Sequence, residues 1–201
     1  VLKAGLMLAG IASVGFKVEN FDRNNMGKLE KAWPDIKKAL LLTAQLVADF
    51  GFTGKTLRAD SALLPIAFYL YHRKLGDDYL VSGKFEADRN AVRLWLIRSY
   101  LKPSGIWGSG LDTLLGYLRE VIKLHGEKHF PIAEIELEMG KRGKALNFSE
   151  DEIQDLADEP YASDRIFSLL SLLFDVVDTV KHVHIDHVFP ISRFSPTRLT
   201  R

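Results

Sequence analysis

Apolar positions along most of the chain recur every three or four residues, a period that predicts helices rather than strands. Pro34, suited to a first helical position, opens "DIKKALLLTAQLVADF", where Ile36, Leu40, Val47 and Phe50 share a face, Lys37 and Lys38 turn outward and Gly51 stops the run. From Asp60 as N-cap, "SALLPIAFYLYHRKL" is a second helix, kinked or delayed by Pro65 and ended by Gly76. "FEADRNAVRLWLIRSYL" gathers Val92, Trp95, Leu96 and Tyr100 on one side and leaves Arg89, Arg93 and Arg98 as a solvated face before Pro103. "LDTLLGYLREVIKLHG" stops at Gly126, and "FPIAEIELEMG" reads as a short helix from Pro131.

The sharpest local signal is "NFSEDEI": Ser149 and Glu152 are spaced as a capping box, with Phe148 and Ile153 placed for a hydrophobic staple. From Ser163, "SDRIFSLLSLLFDVV" is apolar nearly all round, which predicts burial on several sides. After Asp178 the period shortens: Val180, Val183, Ile185 and Val188 or Phe189 suggest a strand. The expected fold is therefore mainly α, a bundle of about seven to nine helices with a short β element near the C-terminus. Its expected division is a helical domain over 1–178 and a different unit over 179–201.

Composition narrows this picture only slightly. The chain has 201 residues, 47% of them hydrophobic, enough for a sizeable core. With 27 basic and 26 acidic residues the net charge is +1, so any nucleic-acid surface must be a local cluster. No cysteine is present, which excludes disulfides and thiolate zinc sites and fits a reducing, cytoplasmic setting. "VLKAGLMLAGIASVGF" begins like a signal peptide, but its glycines and the lack of a clear cleavage site favour a buried helix. No run reaches the eighteen or so apolar residues of a membrane span; no membrane association is expected.

Several motifs resolve into ordinary structure. "GFTGKTL" ends like a phosphate-binding loop, yet Asp49 stands where that motif needs glycine and a helix precedes it. His125 and His129 have metal-ligand spacing, but Gly126 lies between them and Glu127 is misplaced for a zinc protease site. The remaining cluster is "KHVHIDHVFP", residues 181–190. In an extended segment His182, His184 and Asp186 point one way and His187 the other. No acidic residue or histidine follows to complete a zinc shell. A carboxylate that grips a hard cation, beside an imidazole free to deprotonate water, suits metal-assisted phosphodiester cleavage.

"HIDHVFPISRF" resembles the first motif of the HNH, or ββα-metal, nucleases. That resemblance implies Asp186 as metal ligand, His187 as general base and His184 as a supporting ligand, with Mg or Mn as the divalent metal of the intact protein. On the same resemblance, Lys181, Arg193 and Arg198 would be the basic groups nearest the scissile phosphate. "TGKTLRADSALLPIAFYLYHRK", "FPIAEI" and "YASDRIFSLLSLLF" are similar to the helical region of GmrSD-type modification-dependent restriction endonucleases. The resemblance implies DNA as substrate in phage defence, and a partner N-terminal ParB-like nucleotide-hydrolysing domain. It also implies that these residues are part of a longer protein, so that 179–201 hold the truncated start of an HNH module and the fragment binds no metal and cleaves feebly or not at all. The alternative is a helical interaction or oligomerisation module without catalysis, in which residues 182–187 are a surface strand.

Overall fold

The computed structural model describes residues 1–102, 105–160 and 163–174. Among these residues the chain forms nine α-helices, three short 3-10 turns and no strand. The helices are α1 (Leu2–Leu8), α2 (Arg23–Asp49), α3 (Leu63–His72), α4 (Asp78–Val81), α5 (Glu86–Leu101), α6 (Leu111–His125), α7 (Ile132–Gly140), α8 (Glu150–Ala157) and α9 (Ile166–Leu173). The mainly α expectation is met; the β element expected beyond Asp178 and the 178/179 boundary lie outside the described residues.

α3 is the central rod. It packs against α1, α2 and α6, and Ile66, Ala67, Phe68, Tyr69 and Leu70 are all buried because neighbours cover it on several sides. α5 completes the core with Val92, Trp95 and Leu96, the stripe its spacing predicts, and α6 with Leu115, Leu118 and Ile122. α1 is buried from Ala4 to Leu8, and it approaches α2 at Gly5, where a Cβ would stand 2.8 Å from Leu29 Cδ1. No helix among the described residues is long and apolar enough to cross a membrane.

Some boundaries differ from the sequence reading for physical reasons. α2 starts at Arg23, where the Asp22 side chain accepts from the Asn25 N–H as N-cap, so Pro34 lies inside the helix. Proline has no N–H to offer the preceding turn, but Pro34 is exposed, which leaves the orphaned carbonyl open to water. Pro65 does delay its helix: a 3-10 turn over Asp60–Ala62 precedes α3, and Pro65 falls in the first turn, where no N–H is required. The reversal after α3 is made by Lys74, in the left-handed region at φ 52°, and not by Gly76.

Asp88, in the first turn of α5, is a buried carboxylate that locks three segments together. It accepts from the Tyr69 hydroxyl at 2.5 Å and from the Phe130 backbone N–H at 2.5 Å, while Arg73 lies 3.7 Å away and donates to the Tyr69 oxygen at 2.6 Å. Burial, and then the hydrogen bond to Asp88, raise the Tyr69 pKa well above its usual range. Removing the carboxylate strands two buried donors and an arginine, so Asp88→Ala is expected to lower unfolding free energy by about 3 kcal/mol. Tyr69→Phe, which removes one hydrogen bond, is expected to cost about 1 kcal/mol. Urea denaturation of both variants measures the difference; equal losses would deny Asp88 its role as the shared acceptor.

Candidate functional site

Each residue assigned to chemistry from the sequence, Lys181, His184, Asp186, His187, Arg193 and Arg198, lies outside the described residues. The structure instead describes the platform that leads into them. That platform is α8, the turn after it and α9, all held against α5.

α8 is placed by its own first turn. Ser149 Oγ accepts from the Glu152 N–H and the Glu152 carboxylate accepts from the Ser149 N–H, completing the capping box. Glu152 also takes both oxygens to the Lys102 ammonium, at 2.6 and 2.7 Å, which ties α8 to the end of α5. Lys102 sits over the Phe148 ring at 5.0 Å, Phe148 packs against the core, and Ile153 is 57% exposed. After α8, Glu159 pairs with Arg165 and accepts from Ser163, fixing the entry to α9.

α9 then lies along α5, with Arg93 donating to the Ser171 carbonyl at 2.5 Å and Phe167 meeting Phe52 edge-on at 5.1 Å between ring centres. The arginines of α5 are therefore not a solvated face. Arg89 donates to the carbonyls of Tyr79 and Ser82, and Arg98 donates to Glu136 at 2.5 Å and to the Leu146 carbonyl at 2.9 Å. Each guanidinium donates to at least one backbone carbonyl of a neighbouring segment. Their spacing along one helix carried no sign of this, because the acceptors are 7 to 78 residues away.

The rejected motifs stand as loop structure. Residues 51–59 follow α2, and Thr53 and Thr56 close a local turn through the Thr53 N–H and the Thr56 hydroxyl at 2.7 Å. Arg58 donates to the Tyr100 carbonyl at 2.6 Å, and is thus engaged within the fold. His125 is the last residue of α6 and His129 lies in the loop after it. Among the described residues no three His, Asp or Glu side chains are grouped to hold a metal ion.

A cleft of about 940 Å³ opens between the chain after α1 and the start of α6, where Gly110 at φ 71° serves as N-cap. Two of its three lining cations are engaged within the fold: Lys3 pairs with Asp112, and buried Arg119 donates to the carbonyls of Ile11 and Ala12 and to Glu120. The charge of these two is spent on the protein itself, and Lys17 is the third cation of the lining. In comparisons with known proteins, no family model matches the chain and no curated protein matches it.

The α8 platform carries a pH dependence of defined sign. The hydrogen bond from Lys102, reinforced by the Ser149 N–H, holds the Glu152 carboxyl below its ordinary value of 4.5. The unfolded segment therefore takes up its proton first as pH falls, so the contribution is complete above about 4.5 and is lost as pH drops through the lower folded value. Hydrogen exchange across residues 150–157 is expected to accelerate in that acidic window while α5 stays protected. Glu152→Gln is expected to abolish the step; an unchanged acid profile in that variant would assign it to another group.

Proposed function

We propose that the chain is the helical region and leading nuclease motif of a metal-dependent HNH-type DNA endonuclease of the GmrSD kind, acting in defence against phage DNA. One observation carries the reading: "HIDHVFPISRF" sets a carboxylate and an imidazole side by side in an apolar, proline-bounded segment a short distance after α9. The donor chemistry fits a hard divalent ion. Asp186 supplies an anionic oxygen and His184 a supporting nitrogen, and an Asn or His from a following strand and helix would complete the shell. When bound, Mg or Mn would neutralise charge building on the phosphate.

The chain's own residues divide the remaining work. His187 accepts the proton of the attacking water, and Lys181, Arg193 and Arg198 hold the DNA backbone by charge, without reading bases. A ParB-like nucleotide-hydrolysing domain is the proposed partner in the same system, and homo-oligomerisation belongs to the same reading.

The second reading, a helical interaction module without catalysis, is favoured by the apolar surface of α9 and by the groove of Val1, Leu2, Leu29 and Trp33. Plasmid nicking by the full-length protein separates the two. Cleavage is expected to require Mg or Mn, and His187→Ala is expected to slow it by about 100-fold or more, the span of a general base. Asp186→Asn is expected to raise the metal concentration needed for half-maximal cleavage. Equal nicking by the wild type and His187→Ala would remove His187 from the mechanism, and no metal-dependent nicking by the wild type would favour the interaction module.

A further inference from the structure

Across the cleft of about 940 Å³ the loop after α1 faces the first half of α6, and exposed aromatic rings and cations meet at its rim. The rings come from both walls. Tyr117 lines the cleft and is 46% exposed, while Phe16, between the lining residues Gly15 and Lys17, is 70% exposed and meets Phe21 edge-on at 5.2 Å. Lys17 makes no ion pair among the described residues. The loop after α7 adds Arg142, whose guanidinium lies 3.3 Å from the centre of the Tyr117 ring, and Lys144, whose Nζ donates to the Gly105 carbonyl at 3.4 Å. That carbonyl also accepts from the N–H of Gly108, a residue of the cleft wall. The carboxylates Asp112 and Glu120 of the cleft and Glu138 of α7 are each paired with a cation already. Gly116 completes the lining. Glycine is disfavoured in the middle of a helix, and open space lies where its Cβ would stand, so the packing of α6 does not ask for it.

We infer that this cleft is a groove for a single-stranded nucleic acid, whose bases stack on Phe16 and on the Tyr117–Arg142 pair while Lys17 and Lys144 hold its phosphates. With a net charge of +1 the chain gives a polyanion no general reason to bind, so a local meeting of cations with exposed rings is the signal that counts. The combination selects the ligand. An unpaired strand offers base faces to an aromatic ring, and such stacking tolerates any sequence, whereas a duplex hides those faces within its own stack. A recess between a loop and a helix also suits a strand better than the convex surface of a duplex. A lone phosphate would use the cations and leave both rings without a role. The groove goes beyond the nuclease reading, which places backbone contacts at Lys181, Arg193 and Arg198, and it stands on the cleft without that motif.

Fluorescence anisotropy of a short labelled oligothymidylate, read on the full-length protein in EDTA so that no cleavage intervenes, tests the groove. Phe16→Ala is expected to weaken binding at least about fivefold, the loss of one stacked base. Lys17→Ala is expected to lower the slope of log affinity against log salt by about 0.7, the share of one phosphate of a single strand. Gly116→Gln fills the lining with a residue that favours helix more than glycine does, and it is expected to weaken binding at least about fivefold while the thermal midpoint holds or rises. Wild-type affinity in Phe16→Ala or in Gly116→Gln would overturn the groove, as would the lack of measurable binding by the wild type. Equal weakening of a duplex of the same length would assign the rim to duplex backbone. Displacement by thymidine monophosphate at the same concentration as by unlabelled oligothymidylate would assign it to a small phosphate ester; either outcome overturns the inference. Unchanged helical circular dichroism shows that each variant has folded. Anisotropy reads binding without metal or cleavage, so the groove can fail while metal-dependent nicking stands, and the reverse.

Discussion

The buried carboxylate of Asp88 is the contact through which the helical domain is assembled. A charge in a dry interior is tolerated only where donors surround it, and here they come from α3, through Tyr69 and Arg73, and from the loop entering α7, through the Phe130 N–H. Those donors are 19 and 42 residues away along the chain. Aromatic packing extends the same junction: Phe130 meets Tyr69 at 5.3 Å and Trp95 at 5.6 Å, and Trp95 meets Trp107 at 5.5 Å.

α5 is consequently the element from which the C-terminal part of the domain hangs. Arg89 ties down the end of α4 and the turn after it, Arg98 the loop between α7 and α8 at Leu146 and the Glu136 side of α7, and Arg93 the last turn of α9. Burial raises the pKa of Glu136 even though Arg98 opposes the shift, an indication of how far this surface is withdrawn from water. A helix that looked like a solvated basic face is thus a row of hydrogen-bond donors directed at neighbouring backbone.

That arrangement bears on function through α9. The nuclease reading needs the segment after α9 held at a defined angle, and a short helix clamped at its entry by Glu159 and Arg165 and at its end by Arg93 is a rigid place to attach it. The interaction-module reading uses the leucines of α9 for an external partner.

Much of the domain was legible in the chain itself. The stripe of α5, the end of α6 at Gly126, the capping box at Ser149, the delay imposed by Pro65 and the loop nature of "GFTGKTL" are local matters of period, capping and backbone freedom, and all appear as expected. The pairing of Asp186 with His187 was legible too, but only as a pattern, since it lies outside the described residues. What the tertiary structure decided depends on partners distant in sequence. These include the burial of Asp88, the carbonyl targets of Arg89, Arg93 and Arg98, and the extension of α2 past Pro34 by packing and an Asp22 cap. They also include which face of α9 turns inward. An apolar stripe states that a helix expects cover, but the direction in which it is covered is set by what the neighbouring helix offers, and α5 offered room for serines and a guanidinium for a carbonyl.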